Sequence, residues 1–352
     1  LDRREIYDVT IIGGGPAGLY SAFYSGLRDL KTKIIEYQPN LGGKINIYQE
    51  KIIWDVGGLP PVSGSTLMRQ IVEQGLTFNP AVVLNEKVEQ IERNREGFFQ
   101  LRTHNGENHV SKTVIVAVGS GIITPHKLNI EGAEKFEVHN LHYTVPSLKR
   151  FKDKTVVISG GGNSAIDWAN ELETVAKKVY FIYRNEHLKG HEAQVKRLKG
   201  SSIELCLHNS ITCLMALHQK DVIDQVELTN HQTKEKRCIS TDEVIINHGY
   251  ERDASLLNNS SVDVLTVDDF YIKGTPMSES SVEGLFAAGD ILHHDGKLHL
   301  IAGAFQDAAN AVNKIKKYIQ PDASKTAMVS SHNEKLTDKN KEWKQQWLNS
   351  TE

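Results

Sequence analysis

Two glycine turns govern what this chain can fold into: Gly13-Gly14-Gly15-Pro16-Ala17-Gly18 and Gly160-Gly161-Gly162-Asn163-Ser164-Ala165. Each follows a short β-branched run (residues 7–12 and 154–159) and opens a helical stretch. A glycine triplet alone is weak evidence; strand before and helix after make it specific. In that setting Gly13 or Gly160 permits the tight turn, the next glycines let backbone N–H groups approach a pyrophosphate, and a small third residue lets helix and strand lie close. The helix N-terminus adds partial positive charge. Two such turns imply two different dinucleotides, and two dinucleotides imply electrons passing between them.

At 352 residues the chain is long for one hydrophobic core, so two domains are expected. A weak internal duplication agrees. After the first turn the pattern predicts a helix over 16–28, a strand over 32–37, a long connection, then alternating segments at 84–91, 98–103 and 109–110. Asn105-Gly106 marks a hairpin turn, and the apolar run 113–118 closes the unit. After the second turn the order recurs: helix 164–176, strand 178–183, a basic stretch, alternating segments near 211–217 and 222–228, and a closing strand over 243–247. Strands alternating with helices predict an α/β fold with parallel sheets. Residues 284–290 lead into a long helix over 301–319, with Ile301, Phe305, Ala308, Val312, Ile315 and Ile319 on one face. That stretch reads as the returning half of the first domain. The result is two Rossmann-like dinucleotide-binding domains, 122–250 inserted between 1–121 and 251–322. An extension over 323–352 follows, its end expected to be disordered, with Trp343 and Trp347 forming a small self-packing patch.

Composition excludes other classes. The net charge of −3 argues against a nucleic-acid partner, and no apolar run approaches the ~20 residues needed to span a membrane. The N-terminal residues run straight into the first strand, which leaves no room for a signal peptide and predicts a cytoplasmic protein. Cys206, Cys213 and Cys238 sit at no metal or redox spacing and read as reduced thiols. There is no Cys-x-x-Cys, no Gly-x-Ser-x-Gly and no His-Glu-x-x-His, and His293, His294 and His299 make no convincing metal set.

The candidate site residues follow from position. Glu36 ends the second strand, 18 residues past Gly18, where a carboxylate accepts from a ribose diol. Asp290 follows a buried apolar strand and suits a sugar-like hydroxyl chain, while the helix after Gly303 aims its amides beyond it, where they would stabilise a reduced flavin. In the second unit the equivalent strand ends in Arg184, and a cation there suits a 2′-phosphate and hence NADP. Lys189, His187 and His191 could add positive field, with a solvated basic loop as the plainer alternative.

Four blocks resemble the two-dinucleotide flavoprotein reductases of the thioredoxin reductase type: residues 12–18, 117–119, 160–167 and 287–290. Thioredoxin reductases carry their redox cysteines just before the second glycine turn; residues 138–144 here hold none. The chain instead resembles the ferredoxin–NADP reductases built on that scaffold, through residues 42–51, 54–60 and 189–192 and the extension past 320. That resemblance implies FAD contacts at Gly13, Gly15, Gly18, Glu36, Lys44, Val88, Ile123 and Asp290, with Tyr48 stacked on the isoalloxazine. It implies NADPH contacts at Gly160, Gly162, Asn163, Ser164, Arg184 and Lys189. The extension would cover the other flavin face, which nominates Ser331 and His332. The family's His-Arg-Arg reads Tyr183-Arg184-Asn185 here, so NADPH preference is weakened and mixed NADPH/NADH use stays open. Lys44 replaces a residue that is often glutamine.

The implied reaction passes hydride from NADPH to FAD and single electrons onward to ferredoxin or flavodoxin, with no acid–base side chain required and a homodimer as the expected assembly. Two alternatives stay open: an NADPH-dependent flavoprotein reductase of a low-molecular-weight disulfide, and a flavin-containing redox sensor.

Overall fold

The computed structural model describes residues 5–121, 124–145, 147–251 and 253–349. Contacts divide the chain into two compact units: Leu1–Asn46, Lys51–Ile122 and Arg252–Glu352 in unit 1, Ile47–Glu50 and Ile123–Glu251 in unit 2. The short segment Ile47–Glu50, which the sequence places in the discontinuous domain, shares its contacts with unit 2. Its anchor is the Glu50 carboxylate, which accepts from Leu148 N at 2.6 Å and Ser147 Oγ at 2.9 Å.

Unit 1 begins with β1 (Ile6–Ile12), whose residues from Val9 onward are all buried. A strand apolar on both faces belongs inside a parallel sheet covered on both sides. The glycine turn leads into α1 (Pro16–Leu27), where proline takes a first-turn position that needs no N–H. There follow β2 (Thr32–Ile35), α2 (Gly64–Gly75), β3 (Ala81–Val83), β4 (Val88–Arg93), β5 (Phe99–Thr103) and β6 (Asn108–Val116). Helix α2 lies in what the sequence reads as a long connection; it is capped by Ser63 Oγ on Thr66 N and buries only Leu67 and Ile71 among its large apolar side chains. The path through the sheet is β3-β2-β1-β6-β5-β4. At the predicted hairpin turn Gly106 N donates to Thr103 O at 2.9 Å.

The sequence pattern splits β6 into two segments, yet it runs unbroken for nine residues. Its first half pairs with β5 and its second with the returning strand Leu285–Ala287 along the same edge, so neither half is left unpaired.

Unit 2 contains β7 (Leu141–His142), β8 (Thr155–Ser159), α3 (Asn163–Leu172), β9 (Lys178–Tyr183), α4 (Glu192–Lys199) and β10 (Glu204–Leu207). An antiparallel sheet of β11 (Asn209–Met215), β12 (Gln225–Asn230) and β13 (Lys236–Ser240) precedes the closing strand β14 (Glu243–Ile246). The main sheet, β7-β14-β8-β9-β10, is parallel throughout. Alternation along β8 builds both core layers: Val156 and Ile158 join Phe151, Trp168 and Leu198 on one face, and Val157 joins Ile182, Ile223 and Leu228 on the other. Helix α3 stops at Leu172, short of the predicted 176, where the Thr174 hydroxyl takes the Glu171 carbonyl.

The chain returns to unit 1 through β15 (Leu285–Ala287) and α5 (Ile301–Ile319), then ends in α6 (Thr337–Asn349). The extension is moored to the C-terminal end of α1: Arg28 donates to Ser324 O, Asn333 Nδ2 to Leu27 O at 3.1 Å, and Lys335 pairs with Asp29. The two tryptophans expected to form a self-packing patch are largely exposed. Helix α6 buries no residue, and Trp343 and Trp347 stay 70% and 74% exposed, because the helix lies beyond the last mooring point. Among the described residues no helix is long and apolar enough to cross a membrane.

Candidate functional site

In unit 1 the strand order reverses between β1 and β6, and ligands of open α/β sheets lie at the carboxyl ends of strands at such a point. Gly13 (φ +108°) turns the chain there, so close to the Ala117 carbonyl that any side chain would collide with it. Gly18 is held just as tightly against the Gly13 carbonyl. No side chain caps the first amides of α1, which leaves them for an anion. Glu36, 8% exposed, accepts from Gly14 N at 2.6 Å and Gln38 N at 2.7 Å. Each carboxylate oxygen keeps a second lone pair, so the group is fixed in place and still able to accept from a ribose diol.

Further elements converge on this turn. Gly42 N donates to Gly14 O at 2.8 Å, and Gly43 sits against Gly15, which brings the exposed Lys44 next to the turn. Gly289 (φ +79°) abuts Ala17 in the first turn of α1, carrying Asp290 with it. Asp290 is partly exposed, with His299 Nδ1 3.9 Å from its carboxylate. Behind it, Asp307 of α5 accepts from Gly289 N at 3.0 Å and pairs with Lys297; their side chains are 6% and 4% exposed. This buried clamp ties the Asp290 turn to α5, and nothing in the sequence announces it. Val88 is buried at a register shift in the β4–β5 ladder, a local break that frees main-chain groups.

Four more flavin contacts are expected from the sequence: Tyr48, Ser331, His332 and Ile123. Tyr48 falls in unit 2, where its ring lies against the cluster containing Phe151 and Trp168. Ser331 and His332 are exposed and moored near Leu27, the far end of a 12-residue helix and so roughly 18 Å from the glycine turn. Ile123 lies outside the described residues.

Unit 2 holds an open cleft of about 510 Å³ at the carboxyl ends of β8, β9 and β14, within the usual size of a cofactor site. Gly160–Ala165, Tyr183, Arg184, Lys189 and Asn247–Tyr250 line it, and among the described residues no Asp or Glu does. Lys189 N donates to Gly161 O at 2.7 Å and His191 N to Asn163 Oδ1 at 2.9 Å, so the basic stretch folds back over the glycine turn. The Tyr183 ring covers Gly161 so closely that no side chain would fit there. Among the described residues Arg184 and Lys189 form no ion pair, leaving two cations for an anionic ligand. The N-terminal amides of α3 are likewise without a side-chain cap. One lining residue, His248, was not foreseen; the signal was its place directly after the closing strand of the duplicated unit.

The family model for pyridine nucleotide-disulphide oxidoreductases matches residues 7–314. The chain belongs to this family. Among curated members, ferredoxin–NADP reductase 1 of Bacillus mycoides is 68% identical across 97% of this chain and 98% of its own length. Ferredoxin–NADP reductase 2 of Exiguobacterium sibiricum is 62% identical across 99% of each. A solved relative of this pyridine nucleotide-disulphide oxidoreductase, the Lactococcus lactis thioredoxin reductase, aligns with TM-score 0.72 at 24% identity, over 89% of this chain and 99% of that one. That likeness bears on the fold alone, and it agrees with two Rossmann-like domains. The resemblance drawn from the glycine blocks is therefore borne out. The sequence holds no Cys-x-x-Cys; Cys206 is buried, Cys213 half-buried and Cys238 exposed, all as free thiols.

Proposed function

We propose that the chain is an FAD-dependent ferredoxin–NADP reductase, with FAD held by unit 1 and NADPH by unit 2. The observation that carries this reading is a pair of dinucleotide cradles with no dithiol, in a chain 62–68% identical to named ferredoxin–NADP reductases over nearly its whole length. Charge supports the division between units. Glu36 accepts from a free ribose diol and repels a 2′-phosphate, whereas Arg184 and Lys189 attract one.

When bound, FAD supplies the conversion between a two-electron hydride from nicotinamide and single electrons for a carrier. The chain's part is positioning. Gly13–Gly18 and the first turn of α1 hold a pyrophosphate, Lys44 neutralises it, Val88 meets adenine through its main chain, and Asp290 orients the ribityl chain. Ile123 is retained as an FAD contact from the family resemblance. In unit 2, Gly160, Gly162, Asn163 and Ser164 receive the NADPH pyrophosphate. Tyr48 is retained as the flavin-stacking residue from the family resemblance alone. Ser331 and His332, moored at the far end of α1, serve the flavin of a second copy in a homodimer. Ferredoxin or flavodoxin takes the electrons, and the protein works in the cytosol.

The test is steady-state NADPH oxidation by FAD-loaded protein with ferredoxin, flavodoxin and low-molecular-weight disulfides offered in turn. Fast turnover with the one-electron carriers and slow turnover with disulfides is expected. The reverse ranking, or tight binding of both cofactors without turnover on any acceptor, defeats the proposal.

A further inference from the structure

Across the unit 2 cleft from the glycine turn, the chain leaves β14 through Asn247-His248-Gly249-Tyr250. The sheet order β7-β14-β8-β9-β10 reverses between β14 and β8, which makes this gap the crevice where open α/β sheets hold their ligands. The two lips touch. Asn247 N donates to Ser159 O at 2.8 Å, and any side chain at Gly160 would strike the Asn247 carbonyl. His248 Nε2 lies 2.8 Å from Ser159 Oγ, which holds the ring at the last residue of β8, beside the uncapped amides of α3. Among the described residues, Arg184, Lys189 and His248 are the basic side chains lining this cleft, and no carboxylate lines it.

We propose that His248 is a positioning residue for the nicotinamide cofactor, taking up a proton as the pyrophosphate settles between β8 and β14 and so coupling cofactor binding to pH. The inference rests on the assignment of NADPH to unit 2. The His248 side chain lines the cleft and is exposed, with part of its water displaced by neighbouring protein. That partial loss of water, and then the charges of Arg184 and His126, hold its pKa below the ordinary imidazole value, so it is neutral near pH 7 in the ligand-free cleft. The remaining titratable groups of the lining are Lys189, Tyr143, Tyr183 and Tyr250; burial raises the pKa of Tyr143 and Tyr250, which stay protonated and uncharged. An arriving pyrophosphate brings negative charge to the ring while the 2′-phosphate engages Arg184, and both changes favour the imidazolium. A pKa that rises on binding strengthens affinity at low pH, and this gain is lost as pH climbs through the bound-state value. One linked proton gives at most about a tenfold change per pH unit.

The experiment is calorimetric titration of the FAD-loaded protein with NADP⁺ near neutral pH, in two buffers of different ionisation enthalpy. The unaltered protein is expected to take up a substantial fraction of a proton; His248→Gln should still bind NADP⁺, with less uptake and a flatter pH profile. Equal uptake by the variant overturns the proposal. Should that variant misfold, the His248 ring resonance in the unaltered protein decides. NADP⁺ must raise its titration midpoint, and 2′-AMP, which carries the 2′-phosphate without a pyrophosphate, must raise it less. No shift, or an equal shift with 2′-AMP, overturns the role. Absence of any NADP⁺ binding to the unaltered protein would instead defeat the cofactor assignment.

Discussion

Glu36 and Arg184 occupy matching places, each directly after the strand that follows its glycine-turn helix, and they carry opposite charge. Removing the cation by Arg184→Ala should raise KM for NADPH by roughly 1–3 kcal/mol of lost charge-assisted contact while leaving NADH nearly unaffected. Steady-state kinetics with both cofactors checks this; equal effects would show that Arg184 does not read the phosphate. Glu243, at the start of β14, poses a different electrostatic problem. Burial pushes its carboxyl pKa up, but hydrogen bonds from His142 (2.6 Å) and Lys154 and the charge of Arg150 (3.2 Å) outweigh that and hold it below its ordinary value. A depressed carboxylate stabilises the fold above its unfolded pKa, and that contribution is lost as pH falls through the folded value. Glu243→Gln should therefore cost about 3 kcal/mol or less at pH 7, since Arg150 and Lys154 remain over a third exposed. Its deficit should shrink as pH drops below about 4.5. Thermal melts at pH 7 and pH 4 measure this, and a deficit that stays constant would disprove it. The charges that contact ribose and phosphate were readable because strand ends and glycine turns fall at set spacings. Glu243, Asp307 and His248 were not, since their partners are brought together only by the closed sheets.

At the scale of elements, α5 and the extension invite direct tests. Asp307 joins α5 to the Gly289 turn and is the counter-charge of a Lys297 side chain that is 4% exposed. Asp307→Asn keeps the shape but strands a buried cation. It should cost about 3–5 kcal/mol and loosen FAD, seen as a lower Tm and flavin loss on desalting. A variant that melts and retains flavin like the parent would rule out the clamp. Cutting the chain after Gln320 removes the moored turns and α6 while leaving the glycine turn, Glu36 and Asp290 in place. FAD should be retained, with an altered flavin spectrum and a changed acceptor rate; unchanged behaviour would make the extension a bystander. Most of these elements were legible from periodicity, because α1, β1, β8, β9 and α5 bury long regular stripes. Helix α2 was missed because Leu67 and Ile71 alone make too short a stripe to stand out from its polar residues. The continuity of β6 was missed because two different partners, far apart in sequence, complete its edge.

For the molecule as a whole, the missing dithiol carries a prediction: turnover should not depend on any thiol. Iodoacetamide should modify Cys238 readily and buried Cys206 slowly, and NADPH-driven reduction of a one-electron carrier should survive the treatment. Loss of turnover in proportion to thiol modification would contradict that. Another consequence lies in the order in which the chain is made. β6 completes its edge only when Val114 meets Leu285 and Val116 meets Ala287, so the ribosome has delivered the whole of the intervening insert before the host sheet can close. The insert, contiguous from Ile123 to Glu251 apart from the strip at Ile47–Glu50, can be finished while its host is still open. Flavin loading is thereby deferred until residues 285–287 are made, and a nascent chain stalled before residue 285 would carry one assembled nucleotide fold beside an unsealed sheet edge.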